Sequence, residues 1–193
     1  LPLLENLRFI RSCTCWRQAF NEAYRYVDWL LTVPLLLLEA VAVLALPAVN
    51  RKSLISKLVP ASALMIILGY PGEVSEMTST KLIWGGLSTI PFLYILYVLF
   101  VELGKSLDKQ SPEVSATIGR LRLLLIATWG VYPISYLLPV LGFTGPDAFV
   151  GRQIGYTVAD VLAKCLFGLT IYKIAKLKSA QDSPEYAKAE IGE

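Results

Sequence analysis

Long apolar runs separated by short polar breaks set the plan of this chain. Five stretches stay apolar long enough to hold a helix that crosses a membrane: 23–46, 54–69, 82–103, 118–141 and 150–177. A crossing takes about 20 residues, so the second stretch is short and is expected to borrow flanking residues or to meet a thin bilayer. Pro47, the Tyr70-Pro71-Gly72 turn signal and Gly104 read as the ends of the first three spans. Pro34, Pro91, Pro133 and Pro139 fall inside spans, where a missing N–H and a bulky ring are expected to kink the helix. Residues 1–20 carry Arg8, Arg11 and Arg17 and read as an amphipathic piece, the end of a helix plus a loop. Residues 21–178 form the transmembrane bundle, and 179–193 a charged, exposed tail. No internal repeat is visible.

Composition sharpens this into a class. Of 193 residues, 55% are hydrophobic and only 17% charged, too apolar a balance for an ordinary soluble domain. The chain reads as all-α, a polytopic helical bundle integral to a membrane, with the lipid bilayer as its partner. A net charge of +3, spread between the spans without interleaved aromatics, argues against nucleic-acid binding. Cys13 and Cys15 are too close to close a useful loop, Cys165 lies in a span, and with no His no metal site is expected. The start lacks the marks of a signal peptide and an initiator Met, so the chain is expected to begin in mid-protein. Lys and Arg gather after the first span (Arg51, Lys52, Lys57), after the third (Lys105, Lys109, Arg120, Arg122) and in the tail (Lys173, Lys176, Lys178, Lys188). These segments are expected on the cytoplasmic side, and the balanced set Glu73, Glu76, Lys81, Asp147 and Arg152 on the opposite side.

Two spans carry charges that a bilayer does not tolerate cheaply. In the fifth, Asp160 and Lys164 stand four apart, one helical turn and one face. Each charge at membrane depth costs from about 3 to more than 10 kcal/mol, so such residues mark function by default. The pair reads either as an ion pair that neutralises itself in a bundle or as an amine placed for covalent chemistry. The first span holds Arg25, Asp28, Thr32 and Glu39. At about 100° and 1.5 Å per residue, Thr32 lies about 40° and Glu39 about 20° from Asp28, with Glu39 roughly 16 Å along the axis. A carboxylate near cations is stabilised as an anion, whereas one among leucines keeps its proton. Asp28, beside Arg25, therefore reads as a proton acceptor, and Glu39, after Leu35 to Leu38, as a donor. The plainer alternatives are a Glu39 near the interface and an Asp28 that only pairs with Arg25.

At these residues the chain resembles a microbial rhodopsin, of the xanthorhodopsin and proteorhodopsin type of proton pump. Arg-Tyr-Val-Asp-Trp-Leu-Leu-Thr-Val-Pro at 25–34 resembles that family's third helix. Leu-Gly-Tyr-Pro-Gly-Glu-Val-Ser at 68–75 resembles the end of its fourth, Ser-Thr-Ile-Pro-Phe at 88–92 its fifth, Trp-Gly-Val-Tyr-Pro at 129–133 its sixth and Asp-Val-Leu-Ala-Lys at 160–164 its seventh. The five spans would be helices three to seven, with the first two, and the His that the second carries, expected outside this sequence. The resemblance implies all-trans retinal on Lys164 as a protonated Schiff base, Asp28 as primary counterion and proton acceptor, Asp160 as second counterion, Thr32 as its hydrogen-bonded neighbour and Glu39 as cytoplasmic donor. It also implies outward proton transport on illumination, no catalysed conversion, residence in the cell membrane and a homo-oligomer. Trp29, Met65, Gly69, Trp129, Tyr132 and Pro133 match retinal-pocket positions, and Leu36 a position that goes with green absorption. Gly85, after Trp84, matches a window for a carotenoid antenna, or else a small residue for helix packing. A sensory photoreceptor and a colourless scaffold are the competing readings.

Overall fold

The computed structural model describes residues 2–43, 48–107, 111–143, 145–183 and 185, with the backbone alone for 2–21, 48, 106, 146 and 147. Its helices are α1 (Pro2–Val43), α2 (Ala48–Val74), α3 (Thr78–Leu107), α4 (Pro112–Trp129), α5 (Val131–Leu137), α6 (Pro146–Val161), a π-helical turn at Leu162–Leu166, and α7 (Phe167–Asp182). Among the described residues five helical stretches are long and apolar enough to cross a membrane: Glu22–Val43, Val49–Val74, Thr78–Lys105, Pro112–Leu137 and Ala148–Asp182. The all-α membrane bundle read from the sequence is thus the observed fold.

The boundaries depart from the sequence reading where backbone carbonyls find unforeseen partners. Residues 2–20 do not end in a loop but run straight into the first span as one 42-residue helix. The second span is not short, because Tyr70-Pro71-Gly72 does not close it. Pro71 sits inside α2, and the Lys81 amine donates to the Gly72 and Glu73 carbonyls at 3.2 Å each, capping the helix one turn later. Lys178 likewise donates to the last carbonyl of α1, Val43, at 2.5 Å. Pro34 and Pro91 lie within unbroken helices. Pro133 does break its span: its missing N–H and its ring fall opposite the carbonyl of Trp129, where α4 stops and α5 begins. Pro139 lies past Leu137, in a turn that ends at Gly142, whose φ of 92° suits glycine. Of the tail, Ser179–Asp182 continue α7, while 184 and 186–193 lie outside the described residues.

The spans close into a ring: α1 packs on α2, α2 on α3, α3 on α4, α4 on α7 and α7 back on α1, while α5 packs on α6. Stripes at helical spacing fill the middle, among them Leu37, Ala40 and Val41 of α1, Ile95, Leu99 and Leu103 of α3, and Ile118, Leu121 and Leu125 of α4. A smaller cluster, Tyr26, Trp29, Ile66 and Tyr156, is largely aromatic. The outer faces stay apolar, with Ile90, Leu123 and Leu169 each more than 60% exposed, as a lipid-facing bundle requires.

Candidate functional site

The π turn carries Lys164 at its centre. One extra residue in a turn re-aims the side chains around it, and such turns occur often at functional sites. The Lys164 amine donates to Asp28 Oδ2 across the bundle and lies 3.8 Å from Asp160 Oδ1. Asp160 is held from two other helices, since Trp29 Nε1 donates to its Oδ1 at 2.9 Å and the Tyr132 hydroxyl donates to the same oxygen at 2.7 Å. Trp29 and Tyr132 meet at right angles with ring centroids 5.3 Å apart, which fixes both donors. The amine and two acids that the sequence placed on two spans therefore meet at one point, with Asp28 on α1 supplying the contact that sequence distance hides.

A cavity with about 770 Å³ of empty space, part of it open to the surroundings, adjoins this point. Trp29, Met65, Gly69, Gly85, Trp129, Tyr132 and Pro133 all line it, so every expected pocket position does. Tyr26, Ser88, Thr89, Phe92, Tyr136 and Tyr156 line it as well and were not foreseen. Their sequence signal was weak, although Tyr156 stands one turn before Asp160 and Thr89 one residue before the Ile-Pro-Phe run. Lys164 itself does not line the cavity; Trp29 and Tyr132 join it to the amine through Asp160. A Cβ on Gly69 would come within 3.2–3.3 Å of Tyr26 and Ser88, so the glycine makes room at the cavity wall.

The other expected residues fall less simply. Thr32 donates to the main-chain carbonyl of Asp28 at 2.9 Å, not to a carboxylate. Glu39 is exposed in the described chain, not enclosed by leucines, because Leu36, Leu37 and Ala40 form the inward stripe beside it. It lies on the same open side as Asp28, whose side chain is 47% exposed, as the roughly 20° offset along α1 requires. Arg25 holds a negative charge, but that of Glu22 at 3.8 Å; among the described residues the ion pair of Asp28 is with Lys164.

Gly85 lines the cavity and packs closely against a tyrosine of another helix. A Cβ there would stand 2.6 Å from the Tyr136 ring, and one on Gly72 only 2.0 Å from the Tyr136 hydroxyl, which donates to the Lys81 carbonyl at 2.8 Å. Gly72→Ala is expected to displace Tyr136 and to cost about 1–3 kcal/mol. Gly86→Ala, where a Cβ meets nothing within 4 Å, is the matched control. Thermal unfolding in vesicles distinguishes them: a lowered midpoint for Gly72→Ala alone is the expected result.

Several charges assigned to outer loops are instead helix-borne and buried. Glu73, Lys81 and Arg152 are all 9% exposed or less, as is Glu22 of α1. Arg152 reaches Glu22 at 3.5 Å and Glu73 at 3.1 Å, so one guanidinium links two carboxylates on different helices. Desolvation makes unpaired charges costly, and this pairing is what allows the burial. No sequence signal joined positions 22, 73 and 152.

Over residues 6–177 the chain matches the family model described as bacteriorhodopsin-like protein. It is 34% identical over 160 residues to the green-light absorbing proteorhodopsin of Gamma-proteobacterium EBAC31A08, covering 81% of this chain and 62% of that protein. Among solved structures it is similar to xanthorhodopsin, described as a light-driven ion pump with dual chromophore, at 55% identity and a TM-score of 0.77, covering 83% of this chain and 64% of that one. Thermophilic rhodopsin is similar at 48% identity and a TM-score of 0.77, covering 85% and 66%. The chain thus spans about three-fifths of the length of the curated relatives it matches.

Proposed function

The chain belongs to the bacteriorhodopsin-like family, and from that premise we propose that it is a light-driven outward proton pump with retinal on Lys164. The observation that carries this reading is a lysine amine set between two carboxylates, Asp28 and Asp160, beside an aromatic-walled cavity. The residues present fit retinal. Gly69 leaves the wall free of a Cβ, Phe92 and Trp129 stack at 6.5 Å along it, and the charged end is closed by Trp29 and Tyr132. Lys164 would hold retinal, which would supply a cation that changes shape in light and a proton to be transferred.

The protein's own groups divide the remaining work. Asp28, in contact with the amine, accepts the proton. Asp160, held in place by the Trp29 and Tyr132 donors, faces the amine as its second acid. Thr32, bonded to the Asp28 carbonyl, fixes the turn that carries the acceptor. Arg25, outward of Asp28, favours negative charge on that side and helps the proton leave outward. Glu39, on the same side of α1 and roughly 16 Å away, returns a proton from the cytoplasm. Gly85 and Tyr136 would be the wall that meets a carotenoid; the support for that second chromophore is only that the cavity reaches them.

The decisive experiment adds all-trans retinal to the membrane-inserted protein and illuminates vesicles. A visible band that hydroxylamine bleaches in light, with a pH change abolished by a protonophore, is expected. A slow photocycle without any pH change would replace the pump by a photosensor. Glu39→Gln should still release its first proton but recover roughly 10²-fold more slowly, the usual size of a lost proton-transfer group. Flash spectroscopy reads that recovery, and added azide, a small diffusible acid, should restore it.

A further inference from the structure

Outward of Asp28 on α1 stand Arg25, three residues earlier, and Glu22, six earlier. Glu22 is 1% exposed, and α6 grips it. Its Oε1 accepts a hydrogen bond from Gln153 Nε2 at 2.6 Å and lies 3.5 Å from Arg152 Nη2. Its Oε2, which has no hydrogen-bond donor, lies 3.8 Å from Arg25 Nη1. The other side of Arg25 faces the Tyr156 ring, 5.0 Å from the guanidinium carbon, and that ring is fixed because its hydroxyl donates to Glu73 Oε2 at 3.1 Å. Both contacts of Arg25 draw it toward Glu22 and α6, while Asp28 is engaged by Lys164.

We propose that Glu22 is a positioning residue that holds Arg25 away from Asp28 and thereby sets how tightly Asp28 binds a proton. The inference rests on the reading of Asp28 as proton acceptor and adds to it a residue that never touches the reacting groups. A guanidinium free to turn inward would stabilise the Asp28 anion and make it a poorer acceptor. The charged and titratable groups around Glu22 and Arg25 are Tyr26 on the same helix, Glu73 on α2, Lys81 on α3, Tyr136 on α5, and Arg152 and Tyr156 on α6. Those facing Asp28 are Tyr132 of α5, Asp160 and Lys164, with Arg25 turned toward Glu22 and Tyr156. Arg152 and Gln153 anchor Glu22, so α6 carries both Asp160 and the hold on Arg25.

The test is an acid titration of Asp28 in the whole protein with retinal, read by the visible band and by the infrared carboxyl signal that Asp28→Asn removes. Glu22→Gln deletes a negative charge and frees Arg25, and both changes favour ionised Asp28. The proton affinity of Asp28 should fall roughly tenfold, a midpoint about one pH unit lower. In an Arg25→Gln background the same substitution should shift it less than about threefold, because only the direct loss of charge remains there and the release of Arg25 does not. An unchanged midpoint in Glu22→Gln, or an equal shift in the Arg25→Gln background, overturns the proposal. Should Glu22→Gln not fold, Glu22→Asp keeps the charge with a shorter reach; a smaller drop of the same sign supports the proposal and a wild-type midpoint overturns it. A protein that takes up no colour refutes the retinal reading alone, since the infrared signal still reports Asp28.

Discussion

Lys164→Ala is expected to leave the protein colourless however much retinal is supplied. Among the described residues the Lys164 amine is the one that lies beside the cavity between two acids, where an aldehyde carbon would bond to it and the acids would stabilise the resulting cation. The nearest competitor in kind, Lys81, is buried and spends its amine on the Gly72 and Glu73 carbonyls, so it does not substitute. Lys164→Arg separates the covalent role from the ionic one. It keeps a positive charge near Asp28 and Asp160 but cannot form the imine, and it too is expected to stay colourless. Stability changes less than colour does. Breaking a fully buried pair costs about 3–5 kcal/mol, and with Asp28 47% exposed the loss here is expected below that range. Absorption spectra and thermal unfolding of the two variants and the wild type check both statements. A visible band surviving in Lys164→Ala would end the account.

Asp28→Asn should keep the colour and lose the pumping. Asp160 still faces the amine, with Trp29 and Tyr132 donating to it, so the positive charge retains one acid partner. The amide that replaces the carboxylate cannot accept a proton at neutral pH. Losing a positioned proton-transfer group costs roughly 10²-fold or more. Light-driven acidification outside vesicles should therefore drop below detection while the pigment remains, its band moved to longer wavelength because a counterion charge next to the chromophore is gone. Equal acidification in Asp28→Asn and wild type would remove Asp28 from the pathway and leave Asp160 as the acceptor to test.

The residues that met expectation are those whose position follows from their own helix. Asp160 and Lys164 share a face because they are one turn apart, and Asp28 and Glu39 share a side of α1 because eleven residues come round to nearly the same angle. Pro133 ends α4 at Trp129 for an equally local reason. Expectations failed where a distant partner intervened. Pro71 looked like a helix end and is not one, because Lys81, eight and nine residues beyond the carbonyls it caps, extends α2. The close fit of Gly85 against Tyr136, a residue on another span, was equally beyond its own helix to show.

By itself, the sequence determined that this chain is a five-span helical bundle with an amine and three acids at membrane depth, because hydropathy and helical period act through neighbours in the chain. Only the tertiary structure decided that Lys164 engages Asp28 as well as Asp160, that the amine sits in a π turn, and that Glu22, Glu73 and Arg152 form one buried ionic group. The ion pairs between helices join residues 79 to 136 positions apart. They depend on which helices pack side by side and at what depth, and a one-dimensional pattern carries no term for either.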